Sequence, residues 1–325
     1  MSQQPMPFIV ASIILNILLV GHLGYTVFIE EPPDPEVVYI DRSVEPLEEV
    51  AREDSIRIAT FNIKIFGKTK MGKEDVVAEL VTIFDRYDMV SVQEIKDIDQ
   101  QVPYQFLGEL RNGSSMEWDM QLSERSGQQE DDIGGQEQYA IYYRNTVVMP
   151  IENGSLYNDS ALDEFQREPF ITEFTAITNE GESTDFKFTI ITIHTSPSTA
   201  LDELSALGNL SATIPLESNL IMLGDFNADC DYAALHELDA LSIRNENHTW
   251  IVPDDADTTV SSTRCAYDRI VLDEDVSMSY TGWWGIDREM SGGNVSDHYP
   301  VWFELRRPRF EQLISLGVTD ARAGI

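Results

Sequence analysis

The sequence predicts an α/β fold in which two packed β-sheets are covered by helices. Short runs rich in β-branched and aromatic residues recur along the chain, and segments with helical periodicity lie between several of them. Alternation of this kind is typical of layered sheets with helices on their outer faces. Of the 325 residues 42% are apolar, which is ample material for the core of one large domain.

Eight strands and three helices follow from these patterns in chain order. The short β-rich runs predict strands over 56–65, 89–93, 138–143, 170–177, 186–194, 219–223, 267–272 and 299–305. The helical patterns predict helices over 73–87, 200–207 and 232–241.

The N-terminal segment predicts a membrane anchor. Residues 7–29 are uncharged and apolar over a length sufficient to cross a bilayer as a helix. Because no clear small-x-small cleavage site follows, we expect residues 1–29 to be a retained single-pass anchor rather than a removed signal segment. Residues 30–54 are rich in Pro and Glu and predict a solvated linker, and 307–325 form a tail without a motif. The domain at 55–306 is therefore expected outside the cell membrane, either anchored or secreted.

The two cysteines agree with export from the cell. Cys230 and Cys265 are an even number in the exported part, which fits one disulfide in an oxidising compartment. The alternative is two buried free thiols.

The chain is strongly acidic, with a formal net charge of −35 from 57 Asp and Glu against 22 Lys and Arg. Such an excess is typical of highly soluble proteins, or of proteins that work in high salt, where screening removes the repulsion between the acidic groups. The negative charge should repel free polyanions overall. Five of the lysines lie together between Lys64 and Lys96, so a local basic strip can oppose this field.

Polar residues stand at the ends of several predicted strands. Residues 219–223 form an apolar run that continues into Asp225, Asn227 and Asp229, and carboxylates at the end of a buried strand are costly unless a cation balances them. The other residues of this kind are Asn62, Glu94, Glu137, His194, Asp268, Asp297 and His298. Cleavage of a phosphodiester requires a divalent ion for the phosphoryl charge, a base for water and an acid for the leaving oxygen. Carboxylates and amides suit the first role and two histidines suit the others.

The motifs around these residues resemble those of the deoxyribonuclease I family, within the endonuclease/exonuclease/phosphatase superfamily. The matches are Ile58-Ala-Thr-Phe-Asn62-Ile-Lys64, Val92-Gln-Glu94-Ile, Arg167-Glu168-Pro169, His194-Thr-Ser-Pro197, Gly224-Asp225-Phe-Asn227-Ala-Asp-Cys230, Asp257-Thr-Thr259, Cys265-Ala-Tyr267-Asp268-Arg269 and Ser296-Asp297-His298. The resemblance covers about residues 55–306 and implies a catalytic domain there. The implied fold is a four-layer αββα sandwich of two mixed β-sheets flanked by helices.

The resemblance also implies a role for each catalytic residue. Glu94 would hold a catalytic Mg²⁺ with Asn62 and Asp297, while Asp225 and Asn227 would hold the scissile phosphate or a second ion. His298, oriented by Asp268, would activate water as the base. His194, oriented by Glu137, would protonate the leaving 3′ oxygen and leave 5′-phosphate ends. A carboxylate partner fixes the tautomer and position of each imidazole.

Further residues match DNA-contacting and calcium-binding positions of the family. Lys64, Lys96, Arg167 and Tyr267 match contacts to DNA, and Lys68, Lys70 and Lys73 extend the basic strip. Asp257, Thr259 and Thr263 match a structural Ca²⁺ loop, whose oxygen ligands suit that ion. A second Ca²⁺ loop maps onto 158–168 only through an insertion, with Asp159 or Asp163 as candidates. Gly135 replaces a tyrosine that packs on deoxyribose, which predicts a weaker grip on the minor groove.

These observations predict a Mg²⁺-dependent endonuclease that hydrolyses DNA with little sequence preference outside the cell membrane. Its partners would be DNA and, through the N-terminal helix, the membrane; no protein partner is predicted. The alternatives are a phosphomonoesterase or lipid phosphodiesterase of the same superfamily, and a non-catalytic binding module. The module is disfavoured because functional residue types fill all the motif positions.

Overall fold

The computed structural model describes residues 50–127, 135–215 and 218–309. The predicted anchor at 7–29, most of the linker and most of the tail lie outside these ranges. Within the described residues, no helix is long and apolar enough to cross a bilayer.

Thirteen strands form two sheets in the described part of the chain. In chain order they are β1 (Ser55–Phe66), β2 (Met89–Ile95), β3 (Trp118–Leu122), β4 (Gln138–Arg144), β5 (Val148–Pro150), β6 (Ser155–Leu156), β7 (Phe170–Ile177), β8 (Ser183–His194), β9 (Leu220–Asp225), β10 (His248–Trp250), β11 (Asp268–Asp273), β12 (Tyr280–Ile286) and β13 (Val301–Arg306). The first sheet has the order β12-β13-β1-β2-β4-β3. The second has the order β10-β11-β9-β8-β7-β5, and β6 pairs with β7.

Both sheets mix parallel and antiparallel pairs. In the first sheet, β1 pairs in parallel with β2 and antiparallel with β13. In the second, β8 pairs in parallel with β9 and antiparallel with β7. The prediction of two mixed sheets is therefore confirmed.

Six α-helices lie within the described residues, and the three longest cover the outer faces of the sheets. They are α1 (Lys68–Met71), α2 (Glu74–Phe84), α3 (Val102–Gly113), α4 (Ala200–Ser211), α5 (Leu235–Leu238) and α6 (Glu274–Ser277). Helices α2 and α3 pack on the first sheet through Leu80, Phe84 and Phe106, and α4 packs on the second through Leu204 and Leu207. A third apolar cluster, which includes Ile58, Ile141, Phe174 and Ile190, fills the space between the sheets. These are the four layers of the predicted αββα sandwich.

Several elements differ from the sequence prediction. Helix α3 was not predicted, because Pro103 and Gly108 weaken its pattern, although a proline in the first turn leaves no hydrogen bond unmade. Five strands were also not predicted, and neither were two short helices: β3, β5, β6, β10, β12, α1 and α6. The helix predicted over 232–241 is only the four residues of α5.

At the domain edges, Arg307 donates to the carbonyl of Ile177, and Arg309 pairs with Asp54, so the folded domain includes these residues.

Parallel pairing places several polar strand ends at one edge of the sandwich. Strands β1 and β2 run in the same direction, as do β8 and β9, so their C-terminal ends lie side by side within each sheet. A hydrogen bond of 2.8 Å between the hydroxyls of Ser91 in β2 and Thr192 in β8 joins the two sheets. The side chains that follow these positions therefore converge.

Candidate active site

Local irregularities in the backbone orient side chains at the edge of the sandwich where β1, β2, β8 and β9 end. The β1–β2 pairing shifts register between Asn62 and Phe66, and the β2–β4 pairing shifts between Val92 and Ile95. Glu94 lies within this second irregularity with φ of 61°, and Asn227 follows β9 with φ of 47°. Left-handed backbone at residues other than glycine is uncommon and concentrates at functional sites, as β-bulges do.

Asp225 lies at the centre of the site and is 2% exposed. Its Oδ2 atom accepts a hydrogen bond from Asn62 at 3.0 Å and lies 3.5 Å from Nε2 of His194 and 3.6 Å from Nε2 of His298. Burial alone would raise the pKa of Asp225. The charges of His298 and His194 and the hydrogen bonds from Asn62 and Asn227 outweigh that effect, so its pKa lies below its usual range.

His194 is held by Glu137 on the side away from Asp225. Its Nδ1 lies 2.9 Å from Oε2 of Glu137, which is itself 2% exposed. Burial would raise the pKa of Glu137, but the charge and hydrogen bond of His194, with Arg167 and Lys96, lower it to about 2. Glu137 is therefore ionised at neutral pH and keeps the Nε2 atom of His194 directed toward Asp225.

His298 and Asp268 form a matching pair. Nδ1 of His298 lies 2.8 Å from Oδ2 of Asp268, which is fully buried at the start of β11. Burial would lower the pKa of His298, but the charges of Asp268 and Asp225 raise it to about 10. Two imidazole–carboxylate pairs thus face one carboxylate oxygen from different sides.

The residues predicted to hold Mg²⁺ lie beside these pairs. Glu94 accepts hydrogen bonds from the amide of Asn62 at 3.1 Å and from the backbone N–H of Ile65 at 2.9 Å. The ammonium group of Lys64 donates a hydrogen bond of 2.5 Å to Asp297. This bond and the negative charge of Asp297 raise the pKa of Lys64.

The chemistry of this set suits a hard cation. Carboxylates are the oxygen ligands that Mg²⁺ prefers. Asn62 turns its amide nitrogen toward Glu94 and Asp225, while its oxygen accepts the backbone N–H of Lys64 at 2.9 Å. Asn62 therefore positions the two carboxylates.

The predicted DNA-contacting residues have different surroundings. Arg167 is largely buried and donates to the carbonyls of His194 and Thr195, both at 3.0 Å. Lys96 lies 3.2 Å from Glu137. Tyr267 stacks on Tyr232 with ring centroids 5.3 Å apart and lies 6.3 Å from the ring of His298.

The predicted basic strip is smaller than its sequence suggests. The ammonium group of Lys70 is buried and donates to the backbone carbonyls of Ile63, Lys64 and Val295, at 3.0, 2.6 and 2.6 Å. Lys68 pairs with Asp99. The prediction that Lys70 extends the basic strip is wrong, because its ammonium group is buried and ties β1 to the segment before Asp297.

The predicted disulfide is confirmed. Cys230 and Cys265 are bonded, with Cα atoms 5.9 Å apart, and the bond joins the segment after Asn227 to the segment before Tyr267.

Asp257, Thr259 and Thr263 share one loop, as predicted. In the other predicted calcium loop, Asp159 is buried and its carboxylate accepts the N–H of Phe165 at 2.8 Å.

Sequence reasoning missed three residues that shape the site. The hydroxyl of Ser296 donates to the carbonyl of Asn62 at 2.6 Å and accepts the N–H of His298 at 3.2 Å. Tyr139 accepts the N–H of His194 at 3.1 Å. Buried Glu203 in α4 accepts the N–H groups of Ser196 and Gln166. Only Ser296 had a signal, as the first residue of the Ser-Asp-His motif.

Comparisons with known proteins identify the family and agree with the fold. The model of the endonuclease/exonuclease/phosphatase family matches residues 59–298. Deoxyribonuclease-1 of Gallus gallus is 35% identical over 226 residues, covering 67% of this chain and 77% of that protein. Deoxyribonuclease-1 of Sus scrofa is 32% identical over 272 residues, covering 78% and 92%.

Solved structures with low sequence identity share the fold. The catalytic domain of human Nocturnin with bound sulfate has a TM-score of 0.51 at 15% identity, covering 85% of this chain and 100% of that one. D. rerio TDP2 humanized by 14 mutations has a TM-score of 0.53 at 14% identity, covering 78% and 99%.

Proposed function

The chain belongs to the endonuclease/exonuclease/phosphatase family, and we propose that within it this protein is a Mg²⁺-dependent endonuclease that hydrolyses DNA to 5′-phosphate ends. The observation that carries the proposal is the pair of distances of 3.5 and 3.6 Å from Asp225 to the two histidines. Because both Nε2 atoms face one small volume, an acid and a base can act on the same phosphate. Similarity to Deoxyribonuclease-1 supports DNA as the substrate.

The two histidines divide the proton transfers. His298 takes a proton from the attacking water at Nε2, while Asp268 holds its Nδ1–H and stabilises the imidazolium that forms. His194 gives a proton from Nε2 to the leaving 3′ oxygen, while Glu137 holds its Nδ1–H. Asn62 and Asn227 hold the carboxylate of Asp225 between them.

Glu94 and Asp297 are the residues that would hold Mg²⁺. When bound, the ion would supply positive charge that polarises the scissile phosphate and would lower the pKa of His298 from its metal-free value of about 10, so that its Nε2 atom is unprotonated and able to accept a proton. Lys64 would have to leave Asp297, and its exposed position permits that movement.

Substrate contact would be centred on the outer side of the two histidines. The stacked rings of Tyr267 and Tyr232 offer a surface next to His298, and Lys96 lies beside Glu137 on the His194 side. Gly135 stands where the family has a tyrosine that packs on deoxyribose, so this chain lacks that contact with the minor groove. We therefore expect modest discrimination between duplex and single-stranded DNA. The Cys230–Cys265 disulfide supports action in an oxidising compartment outside the cytosol.

Supercoiled plasmid and a small phosphomonoester, each incubated with Mg²⁺ and with EDTA, test this proposal. We expect nicking and linearisation of plasmid with Mg²⁺ alone, ends that a ligase accepts because they carry 5′-phosphate, and negligible phosphate release from the monoester. Release of phosphate from the monoester with intact plasmid would instead assign the site to a phosphomonoesterase. Plasmid cutting that persists in EDTA would refute the metal dependence.

A further inference from the structure

The loop over residues 257–263 connects both members of the His298–Asp268 pair. The carbonyl of Thr258 accepts the N–H of Tyr299 at 2.8 Å, and Thr259 pairs with His298 as an isolated antiparallel bridge. The hydroxyl of Thr258 accepts the backbone N–H of Asp268 at 3.2 Å. The position of this loop therefore bears on both the imidazole and its carboxylate.

The oxygens that the resemblance predicts as Ca²⁺ ligands already have partners inside the protein. Oδ1 of Asp257 accepts the N–H and hydroxyl of Thr259, at 3.2 and 3.1 Å. The carbonyl of Thr263 accepts the hydroxyl of Thr259 at 2.6 Å. All three predicted ligand residues are thus bonded together, because Thr259 donates to both Asp257 and Thr263.

Two arginines occupy the other side of Asp257. Oδ2 of Asp257 lies 3.9 Å from Nη1 of Arg288 and 4.0 Å from Nε of Arg264. The carbonyl oxygen of Asp257 accepts a hydrogen bond from Nη2 of Arg288 at 3.0 Å. The guanidinium of Arg288 therefore faces both the carboxylate and the carbonyl of one residue.

These surroundings do not fit a calcium ion. Ca²⁺ takes six to eight oxygen ligands and relies on carboxylates to balance its charge. Asp257 is the one carboxylate of the predicted set, and the guanidinium groups of Arg288 and Arg264 lie 3.9 and 4.0 Å from it. A divalent ion at Asp257 would be repelled by both of them.

We infer that Arg288, assisted by Arg264, takes the place of the structural Ca²⁺ at this loop, so that the loop is held in position without a metal. Arg288 is the main contributor. Its guanidinium also lies 5.3 Å above the ring of Tyr299, the residue after His298, where a cation–π contact adds to the ion pair. The side chain of Arg264 is 78% exposed against 44% for Arg288, so its pairing is more strongly screened.

Thermal melting in CaCl₂ against MgCl₂ at equal concentration tests this inference without reference to DNA cleavage. Equal concentrations of the two salts cancel general screening of the acidic surface, and about 1 mM covers weak extracellular calcium sites. The full chain should show the same Tm in both. A Tm higher in CaCl₂ by more than about 2 °C, with the difference lost in Asp257→Asn, would overturn the inference.

Replacing the arginines supplies the second measurement. Arg288→Gln with Arg264→Gln should lower the Tm in MgCl₂ by about 2 to 4 °C, the shift expected for about 1 kcal/mol in a domain of this size. The neutral site should also gain a Ca²⁺-dependent rise in Tm, because the competing charges are gone. An unchanged Tm in MgCl₂, or no gain of a calcium response, would contradict the inference.

Arg111→Gln is the matched control. Arg111 also pairs with one aspartate, Asp119, at 3.3 Å, and it donates to one backbone carbonyl. Its side chain is 53% exposed, and its partners are in the edge strand β3, away from the loop at Asp257. It should lose a comparable surface pair and gain no calcium response. A calcium response of the same size in Arg111→Gln would show that loss of any arginine creates it, and would overturn the assignment to Asp257.

Discussion

Gly224 lies so close to the backbone of Ile193 that a Cβ atom added to it would be 1.8 Å from the Ile193 carbonyl oxygen. The two residues precede Asp225 and His194 on neighbouring parallel strands, and they pair with each other in register. Gly224 also has φ of 145°, which side chains disfavour. The close approach of β8 and β9 therefore sets the spacing between His194 and Asp225.

Gly224→Ala should destabilise the protein, because the methyl group has to push the two strands apart. We expect a loss of about 2 to 3 kcal/mol in the free energy of unfolding, measured by urea denaturation, the upper part of the range for overpacking. Gly108→Ala in α3 is the control, since nothing lies within 4 Å of its added Cβ, and it should be neutral or stabilising by up to about 1 kcal/mol. Equal effects of the two substitutions would refute the close-contact argument.

Glu137 should contribute to stability in a pH-dependent way. Its pKa is lowered from 4.5 to about 2 in the folded protein, which corresponds to about 3 kcal/mol of stabilisation of the ionised form. Because the folded-state pKa is depressed, this contribution is fully present above pH 4.5 and is lost as the pH falls toward about 2.

The free energy of unfolding of wild type and Glu137→Gln across this pH range measures that contribution. The difference between the two proteins should be largest above pH 4.5 and shrink as the pH falls through the window that ends near pH 2. Glu109→Gln, on the exposed face of α3, controls for loss of one acidic group and should give no such trend. A difference between wild type and Glu137→Gln that stays constant with pH would contradict the ion-pair account.

Reduction of the Cys230–Cys265 disulfide should lower the melting temperature. The bond closes a loop with a sequence separation of 35 residues, for which the chain-entropy model gives about 3 to 4 kcal/mol. Melting of the wild type with and without reductant, beside a Cys230→Ser/Cys265→Ser variant, measures the effect. Reductant should leave the melting temperature of the double variant unchanged, and two titratable thiols in the unreduced wild type would rule out the bond.

Salt should raise both stability and nuclease rate at first. Screening weakens the repulsion among 57 acidic residues and lets DNA approach, while the opposing loss of lysine–phosphate contacts is reduced because Lys70 is buried. We expect melting temperature and plasmid cutting to increase together from low salt to roughly molar KCl. A steady fall of both from the lowest salt upward would contradict adaptation of the acidic surface to high salt, and would leave the nuclease proposal unaffected.

The strands that carry the site could be predicted from sequence because their apolar runs are long and bounded by polar residues. Strand β7 was predicted at its observed bounds, and the polar residues at the ends of β1, β2, β8 and β9 do meet. Periodicity supplies this information directly, since a buried strand requires β-branched and aromatic residues on both faces.

The partners of the charged residues could not be predicted in the same way. A motif gives the residue type at Lys70 or Arg167, but the acceptors of both are backbone carbonyls, which every residue has. The two arginines at Asp257 are Arg264, which is close in sequence, and Arg288, which lies in a later segment. No local sequence pattern therefore predicts that they meet at Asp257.

Single alanine variants test most directly whether His194 and His298 transfer protons at one phosphate. Plasmid cleavage with Mg²⁺ by His194→Ala and His298→Ala should be slower than wild type by at least about a hundredfold, the usual loss when general acid or base help is removed. His236→Ala, in the short helix α5, is the matched control and should cut like wild type. Cleavage at the wild-type rate by both site variants, with melting temperatures unchanged, would contradict the account.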